Sequence, residues 1–163
     1  MREPVPSTMP TALKISAIAP NGALGFDLSD LLPLLPRKSR EWTWVILDFE
    51  PVVGKARGPA LALAQRLQKE ERVVVSSSEL ETFASNVSQT QDAIFAAVGN
   101  PIDANRLRMN ADLANTCEAV FEAVDSSYWL VAARDAATLD AIRKKFDAHE
   151  VPVSDLRPGA AGQ

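Results

Sequence analysis

The run Glu41-Trp42-Thr43-Trp44-Val45-Ile46-Leu47-Asp48-Phe49-Glu50 limits this chain more than any other stretch. Apolar side chains occupy both phases of its two-residue repeat: 42, 44 and 46 on one side, 45, 47 and 49 on the other. A strand wet on one face alternates, so this one is expected to be covered on both. Trp, Val, Ile and Phe suit a pleated backbone, and Pro51, which has no N–H to donate, ends the ladder. Gly58 and Pro59 then lead into an amphipathic stretch, so the local unit reads as strand, loop, helix.

The rest of the chain reads as layers around that strand. Leu13, Ile15 and Ala17 alternate with polar residues as a first strand, closed by Pro20-Asn21-Gly22. Ser29 is placed to open a short helix carrying Leu31, Leu32, Leu34 and Leu35. Proline at the first helical position starts a helix from Pro59 to about Glu70, with Ala60, Leu63, Ala64 and Leu67 inward. Val73 to Val75 form a short buried strand. Ser78 and Glu81 match a capping box, ahead of a helix with Leu80, Phe83, Ala84 and Val87 on one face.

Gln91 to Val98 reads as a second helical stretch, ending at Gly99-Asn100-Pro101, and residues 101–109 fit either a loop or a short strand. Asn110 would cap a helix over 110–124, whose stripe is Leu113, Cys117, Val120, Phe121 and Val124. Tyr128 to Ala133 is a second strong strand. Asp135 caps a last helix with Leu139, Ile142 and Phe146 inward, and Val151-Pro152-Val153 fits an edge strand. This alternation predicts an α/β fold: a single layered domain with a mostly parallel sheet of about four to five strands covered by helices. The domain is expected over 11–157, between a flexible lead-in at 1–10 and a flexible tail at 158–163.

A chain of 163 residues buries a substantial core without staples. Its net charge of −4 argues against nucleic acid, which needs a basic face. Cys117 is the only cysteine, which excludes an intrachain disulfide and fits a reducing compartment. The first residues carry no apolar segment of the signal type and no run approaches a membrane span, so a cytoplasmic protein is expected.

Catalytic chemistry has little to work with. His149 is the only histidine, so triads and histidine-rich zinc sites are excluded, and it reads as a solvated surface residue. Cys117 lies on the apolar stripe and reads as a buried, inert thiol. Gly54-Lys55-Ala56-Arg57-Gly58 precedes a helix and carries two cations, but it lacks the spacing of a phosphate-binding loop and Pro59 removes a donor. It reads as a connecting loop. No metal or cofactor is expected. The suggestive charges are Glu118 and Glu122, with Asp112 and Asp125 nearby. On a helix over 110–124 these carboxylates would repel one another and oppose the C-terminal dipole, a local cost that suits a docking surface for a basic partner.

Two passages carry a resemblance. Val120-Phe121-Glu122-Ala123-Val124-Asp125-Ser126-Ser127-Tyr128-Trp129 is one; Glu79-Leu80-Glu81-Thr82-Phe83-Ala84 running on to Gln89-Thr90-Gln91-Asp92-Ala93-Ile94 is the other. With the Trp-Thr-Trp-Val-Ile-Leu strand, they resemble immunity proteins of bacterial polymorphic and contact-dependent growth inhibition toxin systems, over roughly residues 28–147. The resemblance implies a small α/β protein without catalysis of its own that binds and neutralises one cognate secreted toxin. It carries over no binding residues. The strand–helix–strand unit with Val-Ile-Leu-Asp-Phe is also similar to anti-anti-sigma and sulfate-transporter regulatory domains. The phosphorylated serine those carry has no counterpart in Gly54 to Pro59. A small enzyme is the third reading.

Overall fold

The computed structural model describes residues 11–16, 25–107 and 113–156. Asp112, the expected cap Asn110 and the two expected flexible termini lie outside the described residues. The strands are β1 (Thr11–Ile15), β2 (Thr43–Pro51), β3 (Val73–Ser76), β4 (Thr90–Val98), β5 (Ala119–Val124), β6 (Tyr128–Ala133) and β7 (Ala148–Pro152). They form one seven-stranded sheet in the order β3-β2-β4-β5-β6-β1-β7. Every neighbouring pair is antiparallel. The mostly parallel sheet of four to five strands expected from strand–helix alternation is therefore wrong in direction and in strand number.

Two segments account for the difference. Gln91 to Val98 belongs to β4, and 119–124 is β5; neither is helical. Ala93 through Val98 are all buried, as are Ala119 through Ala123. With Glu122 the one exception, both runs are apolar at every position and so contain the helical period and the strand period at once, and periodicity does not separate them. Burial on both faces, which favours a parallel sheet in general, arises here in an antiparallel one because helices cover both sides.

One face packs Ile15, Trp44, Ile46, Phe95, Phe121, Trp129 and Val131 against α1 (Leu28–Leu31), α2 (Pro59–Leu67), α3 (Ser77–Ser85) and α6 (Ala136–Lys145). The rings interlock: Phe95 stacks on Trp129 at 6.2 Å, and Trp44 meets Phe121 at 5.6 Å. The Trp44 indole donates to Ser77 Oγ at 3.2 Å, whereas the buried Trp129 N–H has no partner. The other face packs Val45, Ile94, Ala96, Val120 and Leu130 beneath α4 (Pro101–Ala104), Leu107, α5 (Leu113–Thr116) and Cys117. Pro101–Ala104 thus form a short helix where a loop or strand was expected, and residues 108 and 109 lie outside the described residues.

Local chemistry sets the ends. The capping box of α3 is Ser76 with Glu79: Glu79 N donates to Ser76 Oγ at 3.1 Å, and Ser76 N donates to Glu79 Oε1 at 2.8 Å. The expected pair, Ser78 with Glu81, has the same spacing two residues later. Asp27, not Ser29, caps α1. Asp135 caps α6 as expected, and Arg143, Lys144 and Lys145 occupy its last turn. Asp125 and Ser126, at φ 50 and 48, make the β5–β6 turn with both central residues left-handed, the hand that matches strand twist.

Candidate functional site

The four carboxylates singled out in the sequence do not share a helix face. Glu118 precedes β5, is half-buried, and reaches over Gly99. Glu122 lies in the middle of β5, 1% exposed, with Ile94 and Leu130 beside it on the adjoining strands. Asp125 is exposed in the turn at the far end. The six residues of β5 lie between Glu118 and Asp125, a separation of roughly 20 Å. Asp112 lies outside the described residues. Of these residues, only Asp125 presents an exposed carboxylate.

What the sheet brings together instead is Glu50, Asp92 and Asp125. Glu50 of β2 and Asp92 of β4 are directly opposite one another. Asp125 N donates to Asp92 Oδ1 at 3.0 Å, and Ser126 N to the Gln91 carbonyl at 2.8 Å, which ties the β5–β6 turn to the start of β4. Glu50 and Asp125 are exposed and Asp92 is half-buried. Among the described residues, none of the three forms an ion pair. Like charges opposite each other on paired strands are destabilising, so this end of the sheet carries a local electrostatic cost. Glu50 closes the apolar run that begins at Trp42; Asp92 is hidden in the sequence because its segment reads as helical.

A second carboxylate missed in the sequence is structural. Asp27 is buried, and its Oδ1 accepts from Leu28 N at 2.8 Å and Thr90 Oγ1 at 2.9 Å, while Oδ2 accepts from Thr90 N at 2.8 Å. It pins α1 to the beginning of β4. Burial pushes its carboxyl above the usual value of 3.8, the bonds from Leu28 and Thr90 pull it back, and the Asp30 charge adds to the rise.

The loop after β2 turns through Gly54, at φ 79, and Gly58, at φ 52, where no side-chain cap serves α2. Ser88 N donates to the Lys55 carbonyl at 2.7 Å and Arg57 N to the Asn86 carbonyl at 3.1 Å, so these backbone groups are spent on closing the loop. A cleft of about 130 Å³ remains, bordered by Lys55, Arg57, Asn86 and Ser88. A groove of about 370 Å³ separates α2 from α3, with Leu63, Val75 and Phe83 inside and Arg66 and Glu79 on the rim. Cys117 is buried, which pushes its thiol up to about 12, so it is not a thiolate at neutral pH. His149 is exposed on the edge strand β7. Among the described residues, no group of acidic, histidine and cysteine side chains has metal-binding geometry, and no helix is long and apolar enough to cross a membrane.

These features define an α+β protein: a two-faced antiparallel sheet with helices on each side and three carboxylates brought together at one end. The chain matches no family model, no curated protein and no solved structure.

Proposed function

We propose that this chain is a non-catalytic binding protein of the immunity type, which occupies and blocks one cognate secreted toxin domain. The observation that carries the reading is the trio of Glu50, Asp92 and Asp125, without an ion pair among the described residues and set side by side on three segments despite the repulsion between Glu50 and Asp92. A protein that retains such a cluster at a cost suits a partner with a basic surface, because complementary charge steers encounter and fixes orientation. Asp125-Ser126-Ser127-Tyr128-Trp129, the passage most similar to immunity proteins, builds the turn beside that cluster. The net charge of −4 favours a basic protein over nucleic acid. The cytoplasm of the protected cell is the compartment this reading implies.

The test is co-expression with candidate secreted toxin domains, with growth and association kinetics as readouts. Wild type is expected to restore growth and to associate faster at low salt. Reversing Glu50 and Asp92 to Lys should slow association about tenfold or more. Glu118→Lys, at the opposite end of β5, should leave it unchanged. Failure of the wild-type chain to bind or neutralise the toxin overturns the function, whereas binding insensitive to salt and to both reversals overturns the acidic contact surface alone.

A further inference from the structure

The two outer strands of the sheet are built differently. On β7, His149, Glu150 and Pro152 line the edge, and Glu150 accepts from Arg143 at 2.6 Å. Charge and a proline that lacks an N–H are standard protection against edge-to-edge pairing. On β3 the strand is Val73-Val74-Val75-Ser76, with neither charge nor proline. Among the described residues β3 pairs only with β2, and its register sets Thr43 opposite Ser76 and Val45 opposite Val74.

Ser76 N donates to the Glu79 carboxylate rather than to β2, which makes Thr43–Ser76 a non-hydrogen-bonded pair. Antiparallel pairs alternate, so Val45–Val74 is also non-hydrogen-bonded, and the N–H and C=O of Val74 point outward. The Val74 side chain is 41% exposed. The other exposed large apolar side chains among the described residues are Leu61, Ile102 and Val53. Leu61 is on α2, which packs on β3. Ile102 is on α4, whose exit is tied to the start of β3 where Arg72 donates to the carbonyls of Asn105 at 2.7 Å and Leu107 at 3.0 Å. Of these exposed residues Val74 alone is on the edge itself; Leu61 and Ile102 lie on helices that cover opposite faces of the sheet, and Val53 lies in the loop after β2.

We propose that two copies of this chain pair antiparallel through the outer edges of β3, about a two-fold axis at Val74, and merge their sheets into one. Self-pairing there sets Val74 against Val74 of the second copy, with the N–H of each facing the C=O of the other. It brings no like charges into opposition: a two-fold axis at Val74 sets Arg72 opposite Ser76 of the second copy, and Arg72 is held by the carbonyls of Asn105 and Leu107 and by Glu71, 3.6 Å away. A head-to-tail arrangement of β3 on β7 is disfavoured by Pro152 and the charges on β7, so the assembly closes as a two-fold dimer rather than growing into a fibre. Four residues of strand and two neighbouring side chains fall short of the roughly 1,200–2,000 Å² of a stable interface, so the association is weak and concentration-dependent.

Sedimentation of the full chain from about 10 µM to about 1 mM should show its mass rising toward that of a dimer. Val74→Lys, at an exposed position, should stay monomeric throughout. Val74→Cys changes little in size, and an antiparallel hydrogen-bonded pair holds its Cα atoms about 5.5 Å apart, inside the range a disulfide spans. Mild oxidation should link Val74→Cys into covalent dimers at least about ten times faster than Val53→Cys, which is more exposed but lies in the loop after β2, away from the edge. Cys117 is buried and does not compete. Cross-linking of Val74→Cys no faster than Val53→Cys, or a wild-type chain monomeric at every concentration, overturns the proposal.

Discussion

At the scale of single residues, Asp27 is the clearest case of a side chain whose environment sets its behaviour. It accepts three hydrogen bonds from Leu28 and Thr90 while buried, and burial is the larger influence on its carboxyl. The folded-state value lies above the unfolded 3.8, so between the two the folded chain keeps a proton that the unfolded chain has lost. Stability from this group is therefore full below the unfolded value, falls as pH rises through the raised value, and levels off above it. Asp27→Asn removes that dependence and sets an amide where Thr90 N needs an acceptor, so it should be less stable than wild type. Urea midpoints from about pH 3 to pH 7 should show the gap between wild type and variant narrowing as pH rises. A gap that widens would mean that Asp27 is stabilised, not penalised, as an anion.

At the scale of elements, helix starts and strand ends rest on short-range chemistry that tolerates a shift of two residues. Ser76 and Ser78 are each followed three residues later by a glutamate, and both serines precede the same apolar stripe. The choice falls on Ser76 because β3 runs up to it, leaving its backbone extended at φ −78 and ψ 169, as an N-cap requires. Ser76→Ala should therefore cost about 1 kcal/mol of stability, whereas Ser78→Ala, on the exposed first turn, should stay within about 0.5 kcal/mol. Denaturant unfolding of the two variants measures the difference, and the reverse ranking would restore Ser78 as the cap. The same extended-to-helical switch explains why β3 is so short: the cap ends the strand.

At the scale of the whole molecule, the sheet gives the protein two unlike ends. One carries Glu50, Asp92 and Asp125, with Lys55 and Arg57 in the loop after β2; the other carries Glu118 with the exposed Arg37, Lys38 and Arg40 ahead of β2. The repulsion between Glu50 and Asp92 is a property of strand pairing and appears in no single segment. Converting them to Gln and Asn should raise stability by roughly 0.2–1 kcal/mol at low ionic strength. The gain should shrink in salt, which screens exposed charges. Thermal unfolding at two salt concentrations checks both parts, and a double variant no more stable than wild type would mean the pair is neutralised in the folded protein.

Several features are determined by sequence alone because their physics is local. Residues 42–49 are apolar in both phases, so a strand covered on both faces follows from their order, and Trp44, Val45 and Ile46 are indeed buried on opposite sides. Pro59, Asp135 and the run Tyr128 to Ala133 mark their elements for the same reason, and isolated Cys117 and His149 lie where their neighbours place them, one buried and one exposed. What the order of residues left open was the choice between helix and strand at 91–98 and 119–124, where every position but Gln91, Asp92 and Glu122 is apolar and both periods are satisfied. Only tertiary packing decides that choice, since a strand there gains two partners and two covered faces, as β4 does between β2 and β5. Strand direction followed from the same decision, and with it the candidate site. Glu122 moved from an expected helix surface into the sheet, and Glu50 met Asp92 across a ladder that joins residues distant in the chain.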